Sequence, residues 1–353
     1  MKYVFIKVFL ITLMLLSFSC SPEDGKNGLD GVDGIDGITN GLGTLILTGD
    51  ITNEDAVKII EEGVGEDTHT IVVSNTTNVT TLDLSRISVL AKLEVIGNEK
   101  LENLNLSNLK SILDEGIIRA NNTLTAINLE NLTVIENLRV SENNILPLIS
   151  LPKLLSNAKN LYFFQNPLLE NLSIPSLTQA RTLFIANLYN LTSIDINTLE
   201  NVSSLTIREN KKLTTINLAN LVNAFRIKIN DNDMIKSITF SNLERVTSNI
   251  DIKEDLLEVV EFSKLTTFPT LNIDSTVLLT TVDFPLAQDF SRLQLNSSGK
   301  LSTGAIDQVI TTLVNITPSI TETVISISGI ASAQALIDTE TLRTNGNTVN
   351  ITE

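Results

Sequence analysis

Apolar residues recur along this chain in a frame of about 22 positions. With Leu205 as zero, Ile207, Asn210, Leu213, Ile216, Leu218, Leu221 and Ala224 fall at offsets 2, 5, 8, 11, 13, 16 and 19. The same frame fits Leu93, Val95, Asn98, Leu101, Leu104, Leu106, Leu109 and Ile112. It fits again at Leu161, Phe163, Asn166, Leu169, Leu172, Ile174, Leu177 and Ala180. Starts recur at 71, 93, 116, 138, 161, 183, 205, 227, 250, 271 and 293; the turn that begins at Ile250 is one residue short, and the last is half present. Such a period is the sequence mark of a solenoid, in which each repeat buries its apolar face against its neighbours. Every turn holds two apolar-x-apolar pairs, at offsets 0/2 and 11/13. Alternation at period two is a half-buried strand signal. The pattern therefore predicts a β-rich repeat solenoid over residues 71–301, with two short parallel strands per turn. The single apolar residues at offsets 8, 16 and 19 are expected to fill the corners. Eleven coils would form a rod of about 50 Å at roughly 4.8 Å each.

Asn recurs at offset 5, as Asn98, Asn121, Asn143, Asn166, Asn210 and Asn232. A buried Asn in a turn can bond the backbone of its own and the next coil, which predicts a ladder. A row of ligand-binding amides is the alternative. Leu188, Asp255, Thr276 and Ser298 interrupt the row. The solenoid's ends read as caps. In segment 44–70, Leu45 to Leu47 has strand character, and Thr52-Asn53-Glu54-Asp55 opens an amphipathic helix (Ala56, Val57, Ile59, Ile60) that stops at Gly63. Segment 302–353 predicts a helix from Ser302 to Leu313, a strand at Val324–Ser328, a helix from Ala333 to Leu342 and a strand from Thr348 to Ile351. Such caps cover apolar layers and strand edges that an open coil would expose.

The string L-x-x-V-x-x-L-x-I-x-x-N-x-x-L, from Leu199 to Leu213, resembles the leucine-rich-repeat signature. Two strands per turn and a Pro after the second (Ile174-Pro175, Phe284-Pro285) resemble the bacterial surface leucine-rich-repeat antigens of the BspA type. Receptor L-domains and fungal cell-wall proteins look similar. The resemblance implies a right-handed coil of about eleven turns. It does not imply a ligand, because such scaffolds host many partners.

The N-terminus carries an address. Residues 1–20 combine Lys2 and Lys7 with an apolar run from Val8 to Phe18, too short to span a bilayer. The run ends at Cys20, the chain's single cysteine, and so resembles a lipoprotein signal peptide whose Cys is acylated; Ser17 stands where the family has a branched residue. An ordinary secretory signal is the alternative. Residues 21–43 follow as an acidic tether with glycine at every third place from Gly25 to Gly37. That is the collagen period without its prolines. Similar tethers behind a lipidated Cys imply an exported lipoprotein on the outer membrane or surface of a diderm bacterium, held to the membrane through its lipid alone.

Charge and composition narrow the chemistry. The net charge is -16, with 25 Lys and Arg against 41 Asp and Glu, which argues against a nucleic-acid partner. One Cys excludes an internal disulfide, and one His (His69) argues against a histidine metal site or a Ser-His-Asp triad. No calcium loop, P-loop, Rossmann pattern or G-x-S-x-G is found, so neither metal nor cofactor is expected and the chain reads as a non-enzyme. The carboxylate pairs Glu61-Glu62 and Glu254-Asp255 read as solvated.

The outward residues of the strands are the better lead. On the second strand they are small and polar throughout, as in Asp83, Asn105, Asn128 and Ser150. On the first strand, neighbouring coils place Arg139, Tyr162, Phe164 and Phe184 together, with Arg119 and Arg208 in the same rows. Exposed rings beside Arg have the composition of a binding hot spot. These six residues are the candidate binding site, for an extracellular protein or glycan. Two functions follow: a surface binding or adhesion module, or an envelope spacer without a dedicated ligand.

Overall fold

The computed structural model describes residues 41–353 except 156–157, 276, 278 and 296–299. Cys20, with the expected signal segment and the expected tether as far as residue 40, lies outside the described residues, as do Thr276 and Ser298. The chain runs β1 (Thr44–Gly49), α1 (Asn53–Gly63), β2 (Thr70–Thr76), β3 (Thr81–Asp83), β4 (Val89–Ile96), β5 (Asn103–Asn105), β6 (Ser111–Arg119) and β7 (Ala126–Asn128). It continues with β8 (Val134–Ser141), β9 (Leu148–Ser150), β10 (Ala158–Phe164), β11 (Asn171–Ser173), β12 (Gln179–Ala186), β13 (Ser193–Asp195), β14 (Asn201–Arg208) and β15 (Asn223–Asn230). Then come β16 (Ser237–Phe240), β17 (Arg245–Lys253), β18 (Val259–Phe262), β19 (Thr270–Asp274), β20 (Thr281–Asp283), β21 (Arg292–Leu295), α2 (Thr303–Val314), β22 (Val324–Ser328), α3 (Ala333–Thr344) and β23 (Thr348–Thr352).

The fold is a parallel β-solenoid. Its long strands build one 14-stranded sheet from β1 to β23. The register follows the repeat frame: Leu161 pairs with Leu183, Leu183 with Leu205, Leu205 with Ile227 and Ile227 with Ile250. Inward residues close the core; all seven apolar positions of the coil that starts at Leu205 are buried, from Leu205 to Ala224.

Three expectations need correction. First, the residues at offset 19 do not fill a corner. Ile112, Ala180 and Ala224 are the second residues of β6, β12 and β15. The long strand begins four residues before the frame's zero and steps over a bulge, as between Ala224 and Arg226. Second, not every turn carries the second, short strand. The short strands form three separate sheets of three strands each, and Thr215 to Asn217 carries no strand. Between β7 and β9 the cause of the separation is Pro147. The residues at its position in the two neighbouring coils, Thr125 and Glu170, each donate a backbone N–H bond of 2.9 Å to the preceding coil, as Thr192 does at 3.0 Å one coil further on. Proline has no N–H to donate.

Third, Glu254 is not solvated. The Asn ladder explains it. Each rung Asn is fully buried. Asn121 Oδ1 accepts from the backbone N–H and Nδ2 of Asn98 at 3.1 and 2.9 Å, while Asn121 Nδ2 donates to Val95 O at 2.9 Å. Asn143, Asn166 and Asn232 repeat these bonds onto the coil before them. Burial and full internal pairing leave no face for a ligand. A left-handed residue precedes most rungs, such as Ala120 (φ 56°), Gln165 (φ 54°) and Asp231 (φ 59°). In the short coil that residue is missing. Lys253 pairs with Asn230, so Glu254 rather than Asp255 takes the rung beside Asn232. Its carboxylate accepts the Asn232 backbone N–H and Nδ2, both at 2.7 Å. Loss of water pushes the Glu254 carboxyl up to about 8 against these two bonds, with Asp231 and Asp233 adding to the rise.

The ends are capped. Thr52 accepts the Asp55 N–H at 3.2 Å and donates its own N–H to Asp55 Oδ2 at 2.9 Å, a capping box that starts α1. Ala56 and Ile60 are buried over the first coil, whereas Val57 is exposed. At the far end Ser302 caps α2, whose Ala305, Ile306, Val309, Ile310 and Leu313 are buried. Beneath lies a core richer in Phe, with Phe240 stacked on Phe262 and Phe268 on Phe290, both at 5.0 Å.

Candidate ligand-binding cleft

Strand alternation sends offsets 1 and 3 of each long strand to the outer face. The register then sets two rows side by side. Arg139, Tyr162 and Phe184 are directly paired on β8, β10 and β12. Ser141, Phe164, Ala186 and Arg208 form the second row across β8 to β14.

Small residues make the room. Ser141 and Ala186 are fully buried on either side of Phe164. The Phe184 ring meets Phe164 edge-on at 6.0 Å and 83°, and Tyr162 tilts against Phe184 at 5.9 Å. The Arg139 guanidinium lies 4.6 Å from the centre of the Phe164 ring, and that of Arg208 lies 5.6 Å from Phe184. Each aromatic pair adds about 0.5–1.5 kcal/mol, and each partly exposed cation–π contact about 0.5–1 kcal/mol, so the rings are ordered before any ligand arrives.

The arginines are held from behind. Arg139 Nε donates to Ser141 Oγ at 3.1 Å, with its Nη2 at 3.6 Å from Glu142. Arg208 Nη1 donates to Glu209 at 2.9 Å, and the other Glu209 oxygen accepts from Asn187 at 2.6 Å. Around the rings lies a cleft of about 610 Å³, whose wall includes Asn137, Asn160, Gln165 and Asn187. Asn160 donates to Asn137 at 2.7 Å, and Asn137 to the Asp114 carbonyl at 2.9 Å. Glu115 is the sole carboxylate among the residues lining the cleft.

The structure thus brings together five of the six candidate residues: Arg139, Tyr162, Phe164, Phe184 and Arg208. Arg119 is the exception. Ser141 stands between it and Phe164 in the row, and Arg119 turns to Glu142, its buried Nε 3.8 Å from that carboxylate. The amides were missed. Asn137 and Asn160 occupy the next outward row, at offset -1, so extending the period-two alternation one step back would have found them.

The outward Asp and Asn of the second face have a different use. Asp83, Asn105, Asn128 and Asn217 each accept the backbone N–H two residues on, at 2.9 to 3.1 Å, and so hold the following turn.

Ring faces, guanidinium edges and amides hold a ligand by stacking and hydrogen bonds. No nucleophile–base pair lines the cleft. Among the described residues there is no group of three or more His, Cys, Asp or Glu that could hold a metal ion, and no helix long and apolar enough to cross a membrane. Comparison with family models, with curated proteins and with solved structures finds no match.

Proposed function

We propose that this chain is a non-enzymatic binding module whose cleft on β8 to β14 seats an extracellular protein or glycan. One observation carries the reading. In a chain with 4% aromatic residues and a net charge of -16, three rings and two arginines converge on one cleft of about 610 Å³. That volume suits several sugar units or one anchoring side chain with its neighbours. Rings stacked before binding lose little freedom when a ligand docks. A surface-displayed lipoprotein fits this role: Cys20 would carry the lipid, the glycine-patterned segment would hold the solenoid away from the membrane, and BspA-type antigens would be its relatives. An envelope spacer has no use for such a cluster.

The experiment is an array of glycans and extracellular-matrix proteins probed with the purified chain and with the Tyr162→Ala/Phe164→Ala/Phe184→Ala variant. At least one ligand class should bind, and the folded variant should lose it by tenfold or more, about 1.4 kcal/mol. An array silent for the native chain, or bound equally by the folded variant, would leave the spacer reading in its place.

A further inference from the structure

A second groove crosses the same sheet, at the start of the long strands. It holds about 520 Å³ and lies over β10, β12, β14, β15 and β17. Its floor is where the inward row shrinks. That row reads Leu90, Ile112 and Ile135 in earlier coils, and then Ala158, Ala180, Val202 and Ala224.

The groove's charge runs against the whole molecule. Lys159, Arg181 and Arg245 line it, Arg226 borders it, and no Asp or Glu is among the lining residues. Lys159 is neutralised by Glu136 at 2.7 Å. Arg181, Arg226 and Arg245 are exposed and make no ion pair with any described residue; Arg226 reaches only the Ser204 hydroxyl, at 3.2 Å. In a chain with 41 acidic residues against 25 basic ones, three unpaired arginines within four consecutive coils are a concentrated positive field. From Arg181 to Arg245 they extend over three strand spacings, roughly 14 Å. A polymer with repeating charges fits that spread better than a single small anion.

The remaining lining is polar and aromatic. Gln179, Asn201 and Asn223 present amides, and the Phe225 ring is 54% exposed. Amides and a free ring face suit sugar hydroxyls and sugar faces. A peptide would gain least here. The strands under the groove are paired on both sides, so no edge remains for an added strand.

We propose that this groove is a second binding site, for an anionic polysaccharide carrying carboxylates or sulfates. It does not rest on the aromatic cleft, with which it shares no lining residue. The test is fluorescence anisotropy of labelled heparin and labelled hyaluronan oligosaccharides titrated with the purified protein, with neutral dextran and poly-glutamate as comparisons. At least one of the two anionic glycans should bind saturably. Affinity should fall about tenfold or more between roughly 50 and 300 mM salt, as for a charge-led contact. The variant Arg181→Gln/Arg226→Gln/Arg245→Gln should lose tenfold or more with an unchanged melting temperature. If that variant melts early, the single variants Arg181→Gln and Arg245→Gln are read instead, and each should weaken binding. Absence of binding to both glycans, equal binding by the folded variants, or tighter binding to poly-glutamate than to either glycan would overturn the proposal.

Discussion

Replacing Glu254 with Gln keeps the shape of the side chain and removes its titration. Glu254 is 1% exposed, and its carboxyl is pushed up to about 8 from an ordinary value of 4.5. The folded chain therefore holds a proton across that interval which the unfolded chain releases. Stability is greatest below the unfolded value and is lost as pH rises toward the folded one. The loss runs at up to about 1.4 kcal/mol per pH unit, for a total of about 5 kcal/mol across the window. Above pH 8 the curve flattens, because both states are then ionised. In Glu254→Gln the amide oxygen keeps one of the two Asn232 bonds, which in the native chain go to separate oxygens, and nothing on this rung titrates. Urea denaturation followed by circular dichroism at pH 5, 6.5, 8 and 9 is the assay. The native chain should lose stability from pH 5 to 8 relative to the variant, and the variant should be the more stable by about 2–4 kcal/mol at pH 9. Parallel curves for the two proteins, or a native chain that gains on the variant over this range, would refute the burial argument.

Two further substitutions test the scaffold. Asn143→Ala strands the Asn121 N–H and the Ile118 carbonyl, now bonded at 3.1 and 3.0 Å, and should cost about 3–5 kcal/mol by urea denaturation; Asn143→Leu should cost less, since Leu188 fills a rung of the same ladder. Pro147→Thr restores the N–H that Thr125 and Thr192 donate in their coils, and should stabilise the junction of β7 and β9 by about 0.5–1.5 kcal/mol, read as slower amide exchange at residues 126–128 and 147–150.

The solenoid was legible because its repeat is spatial as well as sequential. Leu161, Leu183 and Leu205 share a frame position and a ladder pairing. What escaped was whatever departs from strict period. The bulge before each frame start places two outward residues in succession, such as Phe225 and Arg226, which hides the first third of the long strand from a period-two reading. In the short coil, loss of the left-handed residue moves the buried rung from Asp255 to Glu254, and two adjacent carboxylates look alike on paper. Five residues of the cleft followed from the frame alone. The room around them did not, because it depends on Ser141 and Ala186 being small, and a search for chemistry passes over small residues. The basic groove was missed for the same reason: its floor is a row of small residues, Ala158, Ala180, Val202 and Ala224, and its arginines stand on positions that the frame does not number.

In the proposed function, ligand seats against the rings of the cleft. Tyr162 gives a direct report. The chain has no Trp and three Tyr, of which Tyr3 lies outside the described residues. Tyr189 is outside the cleft lining, so a Tyr3→Phe/Tyr189→Phe protein carries its one remaining tyrosine in the site. Its emission should be titrated with a ligand that the array identifies, alongside calorimetry of the same pair. Saturable change in Tyr162 emission at the calorimetric affinity is the predicted result. Binding by calorimetry with flat tyrosine emission, and undiminished in the folded Phe164→Ala/Phe184→Ala variant, would place the ligand elsewhere and contradict the claim.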